Sequence, residues 1–204
     1  MPIHECAKVP EQIELKYTSN GYIGIFAKRD FIKGEELYSH SLKPMPENSE
    51  IILSTPLGEV QIDMRLHGVK QSNGWRDYYG FDSFMNHSCD ANSFSICPES
   101  ENLSFYTNKA AKNIQAGDEI TANYLLFDWD CDGHSFDCLC GSPHCYGHIR
   151  GFQALDFETQ CRLLPEVDEV TLRRFFALNI EKLKENRRRI PVGALGRLEP
   201  LFAE

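Results

Sequence analysis

The stretch Phe84-Met-Asn-His-Ser-Cys-Asp-Ala-Asn92 follows a run of short predicted strands and gathers polar side chains around one thiol. Asparagine, histidine and serine can all serve as hydrogen-bonding turn residues. A nucleophilic pair of Cys89 with His87 is a second interpretation, but no oxyanion-hole motif or nucleophile elbow accompanies it. Local chemistry alone therefore predicts a polar turn beside a cysteine.

Further along the chain, Cys138, Cys140 and Cys145 fall within eight positions. Thiolates suit Zn²⁺, and a structural zinc site takes four ligands in a tetrahedron, so one ligand is missing from this loop. The spacing favours zinc over three free thiols. The candidates for the fourth ligand are Cys89, Cys97, Cys131, His134, His144 and His148.

Length and composition limit the class of protein. The 204 residues are 42% hydrophobic and 25% charged, which suits one domain with a short appendage. The formal charge of −9 argues against nucleic-acid binding and fits a basic partner better. No signal peptide or membrane-spanning run is evident, so we expect no membrane association and an intracellular location, cytoplasmic or nuclear. Cys6, Cys97 and Cys161 stand apart and are expected to be small buried hydrophobes.

Two hydrophobic periods divide the chain. Alternation over short segments predicts strands at 12–18, 24–28, 36–40, 51–54, 58–64, 93–97, 103–107 and 118–124, with hairpins at 55–58 and 98–102. Helical spacing then predicts a short helix over 151–164 that ends before Pro165. Asp168 is expected to cap a longer helix whose final turn carries the basic residues 182–189. The pattern indicates a β-rich body followed by helices.

Four segments together resemble SET-domain methyltransferases in sequence and order. Asn20-Gly-Tyr-Ile-Gly-Ile-Phe-Ala27 is similar to the glycine-containing opening motif, and the stretch 84–92 to the central Asn-His-Ser-Cys-x-Pro-Asn signature. Residues 111–124 resemble the Gly-Glu-Glu-Leu-Thr-x-x-Tyr strand, and residues 136–149 resemble the post-SET zinc loop. The resemblance covers roughly residues 12–152.

The resemblance implies a β-rich α+β fold with a definite organisation. We expect the SET-domain fold of small β-sheets with a pseudoknot, in which segments 86–92 and 117–124 interlace. A post-SET zinc loop and a helical C-terminal appendage follow. The implied boundaries are 1–137 for the SET domain, 138–152 for the zinc loop and 153–204 for the helical extension.

The resemblance also implies a cofactor, a metal and site residues. Family members use S-adenosylmethionine to methylate an amine, usually that of a lysine, and Tyr124 matches their catalytic tyrosine. The implied cofactor-binding residues are Tyr22, Ile23, Gly24, Asn86, His87 and Phe136. A structural Zn²⁺ would be held by Cys89, Cys138, Cys140 and Cys145. Phe127 and Trp129 are candidates for channel or adenine-stacking aromatics, with core packing as the alternative.

The expected function is therefore an S-adenosylmethionine-dependent methyltransferase acting on a lysine side-chain amine of a basic protein or peptide. Ser83 stands where many family members carry an arginine, and Ala122 where a phenylalanine is frequent. These departures keep two alternatives open. One is small-molecule, secondary-metabolite chemistry in the same pocket, either methylation of a small-molecule amine or a reaction without methyl transfer. The other is a non-catalytic interaction module.

Overall fold

The structure is a computed structural model that describes residues 2–70, 74–96 and 105–203. The chain divides into two compact units. The first comprises Met1–Ala122 and Cys140–Cys145, and the second comprises Asn123–Leu139 and Tyr146–Glu204. Cys97 and the predicted hairpin at 98–102 lie outside the described residues. The expected boundaries after residues 137 and 152 stay predictions.

The first unit is built almost entirely of short strands, as the alternating pattern predicts. Its described elements are β1 (Ile3–Cys6), β2 (Ile13–Tyr17), β3 (Ile23–Ala27), β4 (Glu36–Ser41), β5 (Lys43–Pro46), β6 (Glu50–Thr55), β7 (Gly58–Asp63), α1 (Met64–His67), β8 (Gly68–Lys70), β9 (Trp75–Tyr78), β10 (Asn86–His87), β11 (Ser93–Ile96), β12 (Phe105–Ala110) and β13 (Glu119–Ala122).

These strands form four small sheets. Their strand orders are β1-β6-β7, β10-β13-β3-β2, β11-β12-β4 and β5-β9-β8. The sheet that carries the central signature is mixed, because β10 runs parallel to β13 while β13 and β2 run antiparallel to β3. Residues Asn86 and His87 of β10 thereby lie beside Thr121 and Ala122.

Most of the predicted strands are confirmed, with small differences at their ends. The hairpin at 55–58 joins β6 to β7, with Thr55 opposite Gly58. Met64 begins the short helix α1 instead of ending β7, because Asp63 caps that turn by accepting from the Arg65 amide. The strand predicted over 118–124 ends at Ala122 and is followed by a 3₁₀ turn over Tyr124–Leu126.

Side chains from these sheets form one core. Ile13 and Leu15 alternate inward on β2, and Ile25 on β3, Leu37 on β4 and Ile120 on β13 are fully buried. Each such side chain contributes roughly 1.5–3 kcal/mol through burial. Alternation of buried and exposed positions therefore fixes the register of the strands that position the site.

The second unit contains one two-stranded ribbon and the helical part of the chain. Its described elements are β14 (Phe136–Asp137), β15 (His148–Ile149), α2 (Phe157–Leu163), α3 (Glu169–Glu185) and α4 (Val192–Ala203). Asp168 caps α3 as predicted, accepting a hydrogen bond of 2.7 Å from the Thr171 amide. The helices bury their own core, which includes Phe152, Phe175 and Leu198. Strands followed by helices confirm the β-rich α+β class.

Two expectations outside the strands can be compared with the structure: the end of α3 and the burial of the isolated cysteines. Helix α3 ends at Glu185, and the arginines at 187–189 form a separate 3₁₀ turn, so they are not its final turn. Cys161 is buried as expected, whereas Cys6 is exposed at the end of β1. Among the described residues, no helix has both the length and the apolar content needed to cross a membrane.

Candidate functional site

Asn92 holds the central signature, residues 84–92, against β13 through two hydrogen bonds. Its Nδ2 donates to the carbonyl of Glu119 at 2.8 Å, and its Oδ1 accepts from the backbone amide of Thr121 at 2.8 Å. The next residue, Ser93, donates its hydroxyl to the Thr121 carbonyl at 2.9 Å. The segments 86–92 and 117–122 therefore lie against each other, as the resemblance implies. The sequence alone assigned no role to Asn92.

The side-chain amide of Asn86 lies beside two other implied cofactor-binding residues, Ile23 and Gly24. Its Nδ2 donates to the Ile23 carbonyl at 3.1 Å and to Oε1 of Glu119 at 2.7 Å. Gly24 packs beside it, and a Cβ at that position would lie 2.6 Å from Glu119 Oε1 and 3.0 Å from Asn86 Nδ2. Because Gly24 has no side chain, the Asn86 amide and the Glu119 carboxylate can occupy the space beside it. Glu119 was not singled out from the sequence, although it lies in the third matched segment.

Tyr22 sits in an exposed turn just before β3. The Thr18 amide donates to the Tyr22 carbonyl at 2.7 Å, while Gly21 supplies the positive φ of 80° inside the turn. The Tyr22 side chain is 65% exposed. The loop therefore presents Tyr22 to solvent next to the buried Gly24.

His87 is held neutral beside a cysteine. Burial lowers the pKa of its imidazole to about 4. Its Nε2 lies 3.3 Å from the sulfur of Cys89. The neutral ring can therefore share a hydrogen bond with that sulfur at physiological pH.

Four cysteines form a cluster with the dimensions of a metal site. The sulfurs of Cys89, Cys138, Cys140 and Cys145 all lie within 4.8 Å of one another, and those of Cys89 and Cys145 are 3.9 Å apart. In a tetrahedral site with Zn–S bonds of about 2.3 Å, the sulfurs are about 3.8 Å apart. The donor set therefore fits Zn²⁺, and Cys89 is the candidate that joins the three loop thiols.

Of the other fourth-ligand candidates, Cys97 lies outside the described residues, and Cys131, His134, His144 and His148 are not part of the cluster. Burial raises the pKa of the Cys131 thiol to about 12, so it stays protonated inside the second unit. His148 instead places Nδ1 2.7 Å from the carboxylate of Asp137. The described metal-ligating groups contain neither residue, and neither His134 nor His144.

Tyr124 begins a tight turn of the second unit. Asn123 caps this turn through its side-chain oxygen, which accepts from the Leu125 amide at 3.1 Å. The Tyr124 ring packs against Phe127 at 5.6 Å and edge-on to Phe136 at 6.1 Å between ring centroids. Two aromatic rings thus pack against the tyrosine that the resemblance implies is catalytic.

Trp129 belongs to the core of the second unit. It is 9% exposed and packs against Phe152 with a centroid distance of 5.8 Å. Its indole N–H donates to the side chain of Gln153 at 2.8 Å. The alternative of simple packing therefore accounts for Trp129, while Phe127 and Phe136 lie beside Tyr124.

Part of the chain is similar to known proteins. Residues 43–125 match the family model described as SET domain. The chain is 27% identical over 163 residues to a variant-silencing SET domain-containing protein of Plasmodium falciparum, covering 68% of this chain and 6% of that protein. It is 32% identical over 80 residues to an H3 lysine-36 specific histone-lysine N-methyltransferase of Aspergillus fumigatus, covering 38% of this chain and 8% of that protein. The chain thus spans only a small part of these relatives.

The chain is also similar to a solved structure. The methyltransferase domain of human histone-lysine N-methyltransferase SETMAR aligns over 74% of this chain and 68% of that chain, with 14% identity and a TM-score of 0.44. Residues 43–125 of the chain are thus similar to SET domains, and the proteins that the chain resembles include a SET methyltransferase.

Proposed function

We propose that this chain is an S-adenosylmethionine-dependent methyltransferase that acts on the side-chain amine of a lysine in a basic protein or peptide. The observation that carries the proposal is the meeting of Ile23, Gly24 and Asn86 around one hydrogen-bonded amide. These are three of the residues that the sequence resemblance assigns to the cofactor. Tyr124 follows two positions after Ala122, which pairs with His87 on β10.

The residues divide into two roles under this proposal. The cofactor is held by Tyr22, Ile23, Gly24, Asn86, His87 and Phe136, and when bound it supplies a methyl group on a sulfonium. Tyr124 orients the amine through its phenol, and Phe127 and Phe136 keep water away from it. Exclusion of water favours the neutral amine that methyl transfer needs, since an exposed lysine has a pKa of about 10.4.

The four-cysteine cluster is proposed to hold a structural zinc. Its sulfur spacing fits a tetrahedral site, and a closed set of four thiolates leaves no open position for catalysis. Metal analysis of the purified protein should find about one zinc per chain, and Cys89→Ser should lower that content. Cys6→Ser is the matched control because Cys6 is exposed and outside the cluster. Equal zinc content in both variants would show that Cys89 is not a zinc ligand.

Binding and transfer can be tested separately. Titration calorimetry should detect S-adenosylmethionine binding, and Asn86→Ala should weaken it by about tenfold, or about 1.4 kcal/mol. The exposed Asn48→Ala is the control. Tritiated cofactor with mixed core histones should give labelled protein, and Tyr124→Phe should slow labelling by at least about 100-fold. The exposed Tyr17→Phe should not.

The outcomes separate the candidate functions. A zinc-loaded, folded chain that binds no S-adenosylmethionine would refute the methyltransferase proposal. If the chain binds the cofactor and labels free amines but no protein, the substrate is a small-molecule amine. Labelling that persists in Tyr124→Phe would leave methyl transfer in place but remove Tyr124 from catalysis.

A further inference from the structure

The sheet β1-β6-β7 of the first unit ends in an open edge at β7. Strand β6 lies between β1 and β7, so β7 pairs on one side only, and the described residues place no other strand beside it. Glu59, Gln61 and Asp63 of this strand are all exposed. An exposed edge strand is a template for pairing with a strand of another chain.

The register of β6 and β7 shows which backbone groups face outward. The Ser54 carbonyl of β6 accepts from the Ala7 amide, just beyond β1, at 2.9 Å. In an antiparallel ladder, the backbone groups of two opposite residues point either toward each other or both away. Glu59 lies opposite Ser54, so its N–H and C=O point away from β6, and those of Gln61 do the same two residues later. The edge therefore offers donors and acceptors to an added strand.

A groove of about 650 Å³ adjoins this edge. Residues 47–50 and the end of β7, residues 61–63, line it together with Arg65. Glu50 lies opposite Asp63 in the ladder, so their side chains share the exposed face of the sheet. The groove thus extends that exposed face at the end of the strand, where it has room for a long side chain.

The charge of the edge and groove favours a basic occupant. Strand β7 carries Glu59 and Asp63 but no basic residue, and Glu47 and Glu50 line the groove. Arg65 lies 3.6 Å from Asp63. Within the described part of the chain, neither Glu50 nor Glu59 forms an ion pair. Lysine or arginine side chains of an added strand would supply the missing counter-charges, and opposite charges across a ladder stabilise the pairing.

The same charges disfavour a second copy of this chain as the occupant. If two β7 strands paired antiparallel about Gln61, Glu59 of each copy would lie opposite Asp63 of the other. Like charges directly opposite each other destabilise a ladder. A basic segment of a different protein meets no such repulsion.

We propose that the β7 edge and its groove bind an extended segment of another protein, rich in lysine or arginine, by strand addition. The edge supplies backbone hydrogen bonds, and the carboxylates select the side chains. Successive side chains of a strand point to opposite faces, so basic residues at alternate positions face Glu50 and Glu59. This binding uses none of the residues proposed for the cofactor or for catalysis, and it does not depend on methyl transfer.

The test measures how the full chain binds a fluorescein-labelled peptide in which lysine alternates with threonine, by fluorescence anisotropy. Gln61→Pro removes an outward N–H while leaving the ladder to β6 intact, and it should weaken binding by at least about fivefold. Gln61→Ala keeps that N–H and is the matched control, so its affinity should stay within about twofold of the wild type. Glu59→Gln should weaken binding by about two- to fivefold, and this difference should shrink in about 1 M salt.

Each outcome decides the inference. Equal binding by Gln61→Pro and Gln61→Ala would overturn strand addition, and so would no binding by the wild type. Equal affinity for a peptide with glutamate in place of lysine would overturn the choice of a basic partner.

Two further measurements cover other results. If Gln61→Pro loses its folded circular dichroism spectrum, a lysine peptide with N-methylated amides decides, because it keeps its charges but cannot donate to β7 and should not bind the wild type. A wild-type dimer in analytical ultracentrifugation that Gln61→Pro abolishes would make a second copy the occupant and overturn the proposal. Failure of cofactor binding or methyl transfer would refute the proposed function and leave this binding result unchanged.

Discussion

Adding one methyl group at Gly24 should damage both the fold and cofactor binding. The new Cβ would lie 2.6 Å from Glu119 Oε1, 3.0 Å from Asn86 Nδ2 and 3.1 Å from Thr18 Cγ2. Real Cβ atoms essentially never approach other atoms within 3.0 Å. Gly24 is outside the set of glycines with positive φ, so the backbone accepts alanine and the whole cost is steric.

The loss of stability in Gly24→Ala follows from the side chains that the new Cβ would displace. Inserting a methyl into a packed site costs about 1–3 kcal/mol. Displacing Glu119 also breaks its 2.7 Å hydrogen bond from Asn86, and a bond to a charged group contributes about 1.5–3 kcal/mol. Partial relaxation keeps the sum below its maximum, so we expect Gly24→Ala to lower the free energy of unfolding by about 2–4 kcal/mol. The same displacement of Asn86 should weaken S-adenosylmethionine binding by at least about tenfold.

The assay must report on the first unit alone, because two compact units need not unfold together. Trp75 lies in the first unit and Trp129 in the second. Urea unfolding of Gly24→Ala in a Trp129→Phe background, with zinc in excess, therefore reads the first unit through Trp75 fluorescence. Calorimetry on the same proteins gives the cofactor affinity.

Two further variants test whether the cost of Gly24→Ala is steric. Gly196→Ala is the control, since a Cβ there meets nothing within 4 Å and Gly196 lies in the second unit, so the transition reported by Trp75 should not change. Glu119→Ala removes the group that clashes, so Gly24→Ala should cost at least about 1 kcal/mol less in that background. If the cost of Gly24→Ala is the same with and without the Glu119 carboxylate, the steric argument is wrong.

Other predictions test the fold and the thiols. Asn92→Ala should lower the free energy of unfolding by about 2–4 kcal/mol, measured by urea unfolding, because backbone groups of β13 lose their partners. Iodoacetamide at pH 8 should modify the exposed Cys6 but not Cys131, whose pKa burial raises to about 12, as peptide mass spectrometry would show. Cys89 should become reactive only after the metal is chelated, and modification in zinc-loaded protein would contradict the proposed metal site. Asp168→Ala should destabilise the second unit by about 0.5–2 kcal/mol in thermal melts, and an unchanged melting temperature would contradict its capping role.

Elements with local signals were predictable from the sequence. The hairpin at 55–58 and the cap at Asp168 rest on residues within a few positions of each other, where turn and cap chemistry determine the backbone. Strand β1 was missed because its only described partner, β6, lies far along the chain. Strand β5 contains Pro44 and Pro46, and helix α4 contains Pro200, so local rules count against both.

The site was predictable only in part, for the same physical reason. Resemblance assigned Asn86 and Gly24 to one function, but no local pattern joins Asn86 to Glu119 across 33 residues. The hydrogen-bonded side chains of Tyr38 and Asp82 are likewise 44 residues apart. Such contacts depend on how several small sheets pack, and tertiary packing of this kind leaves no periodic signal in the sequence.

Cys89 connects the proposed metal site to the segment proposed to bind the cofactor. Cys89 follows His87 by two residues, so the strand that pairs with β13 continues directly into the cysteine cluster. The Ser88 amide, between them, donates to the Ala122 carbonyl at 3.0 Å, which holds this backbone against the end of β13. A ligand bond at Cys89 would therefore restrain the same backbone that carries Asn86 and His87. If the cluster holds a structural metal, that metal would contribute to cofactor binding without touching the cofactor, by lowering the entropy of the segment proposed to bind it.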